Sequence, residues 1–540
     1  MNGVNQNQLK VSPGAVEITI GRITLEKIST WFASLNVMAI VAFFASVLSG
    51  FFWIYFSSRG YNLTYNDAMS HLDIARRVVE GVKPGLAQLG SVWLPLPHIL
   101  MLPTIWNDFF WHSGLSGGIP SMISYVLACI FTYKSIRLLG GTEFGALIGT
   151  AVVALNTNFL YLQTTALTEP LFLGTFILAT YYLIRWAKTQ DILSLVIAAF
   201  FILLTGLTRY DGWFLLVFAL FAVFLSTYFK NGWKKAEGTT VLFGTLASLG
   251  VIVWFVWNLV IFGNPLYFAT SEFSAGAQQE RMYAAGVLLT KGDILFSLKT
   301  YFFSMIDNIG VYIFFFGLIG WVYFMVKNKN IYLRAAGAVL LAPMVFNILS
   351  LYLGQSALFL PETMGNSWFN VRYGIVVLPW AAICIGFLVS TRNLLVKILI
   401  PAIILLEIGL SFSSHYSITI VDGLVGASQK NVTLIGSEIN QYAGKDNGLI
   451  LASVASHDAI LFSSGLPMRR FIHEGTGKLW MDSLQNPDQY AQYIIMRSGD
   501  GSDSVSRAMM KLESFPIKYR MVYKGDFADF YERISFPPQQ

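Results

Sequence analysis

Charge is scarce in this chain. Of its 540 residues only 12% are Asp, Glu, Lys or Arg, while 55% are hydrophobic. A soluble domain carries about a quarter charged residues, so the shortage excludes a chain folded wholly in water. A mean hydropathy of +0.58 points to a membrane protein with many spans. Cysteine is nearly absent: Cys129 and Cys384 both fall inside apolar runs, which excludes a disulfide framework or a thiolate metal site. No fixed-period repeat is visible. The first apolar run starts near Trp31, is too long for a signal-peptide core and lacks a small-residue cleavage site, so no cleavable signal peptide is expected. The net charge is +6. Its distribution matters more than its sum, and no nucleic-acid partner is expected.

What the chain has in abundance is apolar runs. They read as about eleven spans of about 17–25 residues, near 31–56, 117–137, 143–161, 169–187, 192–208, 212–229, 240–262, 303–326, 332–352, 373–390 and 395–413. Residues 1–30, with Lys10, Arg22 and Lys27, are expected to be a cytoplasmic tail. On that orientation the inner loops hold Lys134 and Arg137, Arg185 and Lys188, Lys230, Lys234 and Lys235, Lys327, Lys329 and Arg334, then Arg392, as the positive-inside rule requires. An odd span count then places the C-terminal segment outside. The expected domains are the tail 1–30, a transmembrane domain 31–413 with a first outer loop 57–116, and a soluble extracytoplasmic α/β domain 414–540. In that last domain, strands are expected at 449–453, 493–497 and 519–523, and helices at 457–464 and 503–513. Two further outer loops span 263–302 and 353–372. In the first loop, the prolines of Trp93-Leu-Pro-Leu-Pro97-His98 are expected to break any helix.

The most informative stretch runs from Tyr65 to Gly81. Ala68, Leu72, Ala75 and Val79 recur at helical spacing and form an apolar stripe. Asp67, Ser70, His71 and Ile74 lie along a neighbouring face, which puts one carboxylate and one imidazole a single turn apart. Ionisable residues at the outer ends of spans are costly unless used or paired. They are Asp67, Glu169 in Thr168-Glu-Pro170, Arg209 and Asp211 in Thr208-Arg-Tyr-Asp-Gly-Trp213, and Arg372 beside Tyr373. Together they offer carboxylates for acid–base work and guanidiniums for a phosphate. Each has a plainer reading. Glu169 suits the first turn of a helix, Arg209 and Asp211 suit a mutual pair, and Arg372-Tyr373 suits a headgroup-level anchor. Arg469-Arg470 and His473-Glu474 read as a solvated loop, and His457-Asp458 as an ordinary helix start. Asn62-Leu-Thr64 and Asn431-Val-Thr433 are sequons on the expected outer side.

This layout resembles the GT-C class of polytopic glycosyltransferases, in particular the protein O-mannosyltransferase and lipid A aminoarabinose transferase group. The residues that carry the resemblance are Asp67-Ala-Met-Ser-His-Leu-Asp-Ile-Ala-Arg-Arg-Val-Val-Glu-Gly81 in the first loop and Arg372-Tyr-Gly-Ile-Val-Val-Leu-Pro379 before a late span. In that group an acidic pair often follows in the first loop. Here Ala68 stands after Asp67, so the second acid's role falls to Glu169 or Asp73. The resemblance implies transfer of a sugar, with inversion, from a polyprenyl-phosphate donor to an acceptor hydroxyl on a protein, lipid or glycan. Asp67 would be the general base and Glu169 its catalytic companion. Arg209, Arg372, Lys83 and Arg281 would hold the donor phosphate. His71, Asp211, Gln278, Gln279 and Tyr373 would bind substrate. No cofactor is expected; the lesser alternative is a divalent cation at Asp67, His71 and Glu169. The rival class is a polytopic transporter or flippase. Against it stand charges massed at one face and no two-fold repeat. A non-catalytic sugar-binding protein is the third reading. The expected location is a multi-pass integral protein of the plasma membrane.

Overall fold

The computed structural model describes residues 36–364, 368–414, 417–426 and 432–534. The expected tail 1–30 and Asn431 of the second sequon lie outside the described residues. The chain is an integral, multi-pass helical membrane protein with a small C-terminal α/β unit. Among the described residues, seven helices are long and apolar enough to cross a membrane, or up to nine if each of two bent pairs counts as one span. Leu96–Ile105, Glu143–Ala154 and Ile192–Gly206 are shorter apolar helices.

Three stretches expected as straight spans are broken, each for a local reason. The run at 303–326 divides into Ile294–Ile309 and Val311–Lys327, which meet at 105°. Gly310 turns the corner at φ +98, a left-handed conformation that favours glycine. The new helix start is capped from a neighbouring span: the Glu407 carboxylate accepts the Tyr312 and Ile313 backbone N–H groups, both at 3.0 Å. The run at 143–161 stops at Ala154 because Asn156 caps a second short helix, Thr157–Leu162, accepting Phe159 N–H at 2.8 Å. The run at 332–352 bends by 41° ahead of Pro343, which opens Ala342–Tyr352. The prolines of the 93–98 stretch also act against expectation. They start a helix, Leu96–Ile105, with Pro97 in its first turn.

Two spans form the centre. The apolar windows of Glu169–Thr189 and Val371–Val389 are each 89% buried, against 17% for Val37–Ser57 and 22% for Trp233–Phe262. Close approach rests on small residues. A Cβ on Gly145 would fall 2.4 Å from the Gly386 carbonyl oxygen, and one on Gly320 2.4 Å from that of Cys384. The two enclosed spans carry Glu169 at the start of one and Arg372 at the start of the other.

The C-terminal unit is a five-stranded sheet ordered β2-β1-β3-β5-β4. Its strands are β1 (Ile450–Ala452), β2 (Phe471–Ile472), β3 (Tyr493–Met496), β4 (Tyr519–Lys524) and β5 (Asp529–Arg533). The first three are parallel, and β5 and β4 are antiparallel additions. β2 and β5 were not expected from sequence. β2 is too short to show a pattern, and β5 mixes Asp529, Glu532 and Arg533 with aromatics. The sheet unit docks on helix Asn66–Val79 through charges, among them Asp458 and Arg469, which sequence read as an ordinary helix start and a solvated loop. Arg77 Nη1 lies 2.6 Å from Asp458 Oδ1, both side chains buried. Trp111 Nε1 donates to Asp73 Oδ1 at 3.0 Å beside them. Burial, then the charge of Asp458, holds Asp73 well above the usual carboxylate range. Arg469 reaches Glu80 at 2.9 Å, and Gln88 donates to the Gly475 carbonyl at 2.9 Å. Asp458 is therefore an interdomain ion-pair partner, not an ordinary helix start. The sequon residue Asn62 is buried and donates to the Ser113 carbonyl at 2.6 Å, so its amide is not free for glycosylation.

Candidate active site

Helix Asn66–Val79 begins without a side-chain cap, and Asp67 sits in its first turn where the helix dipole favours a carboxylate. The carboxylate turns to an arginine: Arg372 Nη2 donates to Asp67 Oδ2 at 2.5 Å. Arg372 Nε donates to Glu169 Oε1 at 3.1 Å. The same Glu169 oxygen accepts from Arg209 Nη1 at 2.7 Å. Arg209 Nε donates to Asp211 Oδ2 at 3.0 Å, and Asn347 Nδ2 donates to Asp211 Oδ1 at 2.8 Å. Asp67, Arg372, Glu169, Arg209 and Asp211 thus form one continuous chain of charge drawn from four parts of the sequence. Glu169 Oε2 is buried and, among the described residues, without a hydrogen-bond partner.

Exposure sorts these groups. Asp67 has 41% of its side chain exposed, whereas Arg372, Glu169 and Asp211 have 5%, 1% and 2%. Asp67 is the accessible end of an otherwise enclosed network. Burial alone would lower the Arg209 guanidinium, but Asp211 and Glu169 more than offset it and hold it above its ordinary value. Tyr373 stands between the cations, its ring 5.0 Å from the Arg209 guanidinium and 5.5 Å from that of Arg372.

The short 3₁₀ segment Val371–Val377 holds Arg372 in place. Ser304 Oγ and Asn308 Nδ2 both donate to the Val371 carbonyl, at 3.0 and 2.6 Å, and Tyr301 Oη donates to that of Tyr373 at 3.2 Å. Gly374 makes this approach possible, because a Cβ there would fall 2.2 Å from the Ser304 carbonyl oxygen. Gly374→Ala is expected to push the segment off helix Ile294–Ile309 at a cost of about 1–3 kcal/mol and to depress turnover with it. Thermal stability and activity measured together on the purified variant check this; a variant with native values for both would show that the contact does not hold Arg372.

Four residues of the site are not apparent from the sequence reading. Tyr65 places its ring 4.7 Å from the Arg372 guanidinium. Its hydroxyl donates to Asp422 Oδ2 at 3.0 Å, and the same oxygen accepts Val371 N–H at 3.2 Å. Asn347, Asp422 and His98 are each the one amide, carboxylate or imidazole in a helix whose other residues are apolar or carry only a hydroxyl. A strongly polar side chain in such a run is itself a sign of a buried partner.

Among the described residues, the remaining candidates make no hydrogen bond or ion pair with the charge network. His71 Nδ1 is 2.8 Å from His98 Nε2. Burial, then the charges of Arg372 and Arg209, pushes the His71 imidazole down to about 3. The unfolded chain therefore binds more protons than the folded one between that value and the usual 6.5, and stability falls as pH drops through this window. Lys83 Nζ lies against Gly477 of the sheet unit. Gln278 donates to the carbonyl of Phe273 in its own loop, Gln279 is buried with Oε1 unpaired among the described residues, and Arg281 is exposed. Among the described residues, no hydrogen bond or ion pair joins Lys83, Gln278, Gln279 or Arg281 to the network. No group of three His, Cys, Asp or Glu residues placed to hold a metal ion occurs among the described residues. The trio Asp67, His71 and Glu169 is not assembled as such a site, because His71 turns to His98.

No protein-family model matches the chain, and no curated protein matches its sequence. Solved structures do match in fold. One is the archaeal oligosaccharyltransferase AglB from Archaeoglobus fulgidus in complex with an inhibitory peptide and a dolichol-phosphate. It has a TM-score of 0.51 and 12% identity, over 86% of this chain and 70% of that one. Another is ArnT from Cupriavidus metallidurans bound to undecaprenyl phosphate, with a TM-score of 0.51 and 11% identity, over 90% of this chain and 98% of that one. The chain has the GT-C fold.

Proposed function

We propose that this chain is an integral-membrane glycosyltransferase that moves a sugar from a polyprenyl-phosphate donor to an acceptor hydroxyl, with inversion at the anomeric carbon. The observation that carries the reading is Asp67: one accessible carboxylate at the end of a buried network that contains two guanidiniums. The donor's tail lies in the bilayer, so its phosphate arrives at headgroup level. Arg372 and Arg209 keep N–H groups beyond those bound to carboxylates. A phosphate that takes the Arg372 donor now bound to Asp67 frees that carboxylate. Asp67 then accepts the acceptor's hydroxyl proton as the new C–O bond forms and the bond to the phosphate oxygen breaks. The electron pair leaves on the phosphate, and preorganised guanidiniums stabilise that growing charge. Glu169 keeps the two guanidiniums together and, through Arg372, orients Asp67. Asp211 orients Arg209, and Tyr373 spaces the cations.

The fold supports the same reading, since AglB and ArnT were solved with lipid phosphates. The acceptor is a protein, lipid or glycan, and the site faces the outer leaflet of the plasma membrane beneath the sheet unit, with the N-terminus cytoplasmic. Mass spectrometry of lipid-linked sugars and glycoconjugates, in cells with and without the gene, tests the proposal. One polyprenyl-phosphate sugar is expected to accumulate on deletion while one glycoconjugate loses its sugar. Identical profiles in both strains would exclude it.

A further inference from the structure

One turn beyond Asp67 lies a polar pair that the ion network does not use. His71 stands on helix Asn66–Val79 and His98 in the first turn of Leu96–Ile105, and both rings are buried. Their Nδ1 and Nε2 atoms are 2.8 Å apart. Trp93 covers His71, with ring centroids 4.3 Å apart. His98 Nδ1 is buried and, among the described residues, has no hydrogen-bond partner.

That unpaired atom settles the tautomers. A hydrogen bond between two imidazole nitrogens needs one proton between them. Were it on His71 Nδ1, a neutral His98 would carry its own hydrogen on Nδ1 and bury an N–H with no acceptor. With the proton on His98 Nε2, the unpaired Nδ1 is only a lone pair, and His71 carries its hydrogen on Nε2. Orphaned buried N–H groups are the rarer of the two. The second arrangement also gives both rings the Nε2–H form that histidine prefers in water.

We infer that His98 is a positioning residue that locks His71 as a neutral Nε2–H donor for a phosphate oxygen of the lipid-linked donor. The inference rests on the proposed function for the identity of that ligand, but not for the tautomers. Asp67 stands one turn away but turns to Arg372, and the charges that act on the pair are cationic: Arg372 and Arg209 on His71, and Arg77 on His98. Burial and these cations disfavour an imidazolium, and among the described residues neither ring is hydrogen-bonded to a carboxylate. The guanidiniums supply the charge; His71 supplies a fixed donor without burying a third cation among them.

The test uses the full chain in detergent with nitrogen-15-labelled histidine. The chain has six histidines, so His71→Asn and His98→Gln assign the pair. Both rings are expected as Nε2–H tautomers that do not titrate between about pH 5 and 8. Added polyprenyl monophosphate is expected to shift the His71 Nε2 resonance. His98→Leu is expected to lower kcat/KM for the donor about tenfold, the scale of one lost hydrogen bond, and to add an acid limb to the pH profile as the freed imidazole titrates. His98→Gln, whose amide N–H can donate to His71 Nδ1, should restore most of the loss. A hydrogen on His71 Nδ1, no shift with polyprenyl monophosphate, or equal kinetics for the Leu and Gln variants overturns the inference. A phosphate-induced shift with no sugar transfer from any donor would instead overturn the proposed function and leave this inference standing.

Discussion

Asp67→Asn is expected to lower kcat by about 10²–10⁴-fold, the usual worth of a positioned general base, while leaving the fold and donor binding close to native. The reasons lie in how Asp67 is held. Its side chain is 41% exposed, and among the described residues its one ion pair is to Arg372. A partly exposed pair contributes at most about 1 kcal/mol. Asparagine has the same shape and still offers an oxygen to Arg372 Nη2, so neither the start of helix Asn66–Val79 nor the arginine should move. What asparagine cannot do is accept a proton from the acceptor hydroxyl. Binding of a polyprenyl monophosphate should persist, since the phosphate meets guanidiniums and not the carboxylate. The measurement is turnover alongside lipid-phosphate binding and the thermal midpoint of the same preparation. A variant that turns over at the native rate removes Asp67 from the mechanism; one that unfolds makes the residue structural.

Much of this arrangement is legible in the sequence, for reasons that differ between parts. The membrane class follows from composition, and the individual helices follow from runs long enough to need a bilayer. Breaks inside runs are not legible by hydropathy. Gly310 and Asn156 interrupt apolar stretches without changing their mean, and the cap for one of the resulting ends, Glu407, comes from a span about a hundred residues away. The charged members of the site stand out because an ionisable residue at a span end needs a reason. Their mutual pairing is a tertiary fact. Nothing in the spacing says that Glu169 faces Arg372 as well as Arg209, or that His71 pairs with His98. Short strands such as β2 are invisible because two residues carry no period. Docking charges such as Arg77 and Asp458 look like surface until a second unit covers them.

Glu169→Ala is expected to be the most damaging single change to stability in the site, at about 3 kcal/mol or more, because it breaks a buried ion pair and leaves its partners uncompensated. One carboxylate oxygen, on a side chain only 1% exposed, accepts from Arg209 at 2.7 Å and from Arg372 at 3.1 Å. Without it two guanidiniums remain enclosed on either side of Tyr373, and each keeps a single carboxylate, Asp211 or Asp67. Arg372 would then lean wholly on the exposed Asp67. Such a partner is well hydrated and offsets little of the cost of burying the cation. Glu169→Gln should cost less, since its carbonyl oxygen still accepts from the arginines while its charge is gone. The expected order of thermal midpoints in detergent is therefore native, then Gln, then Ala, with Ala lower by several degrees. Asp67→Asn should sit beside the native protein on the same scale. If Glu169→Ala melts with the native chain, the network is not holding the two central spans together. If Glu169→Gln melts below Glu169→Ala, side-chain volume rather than charge governs the position.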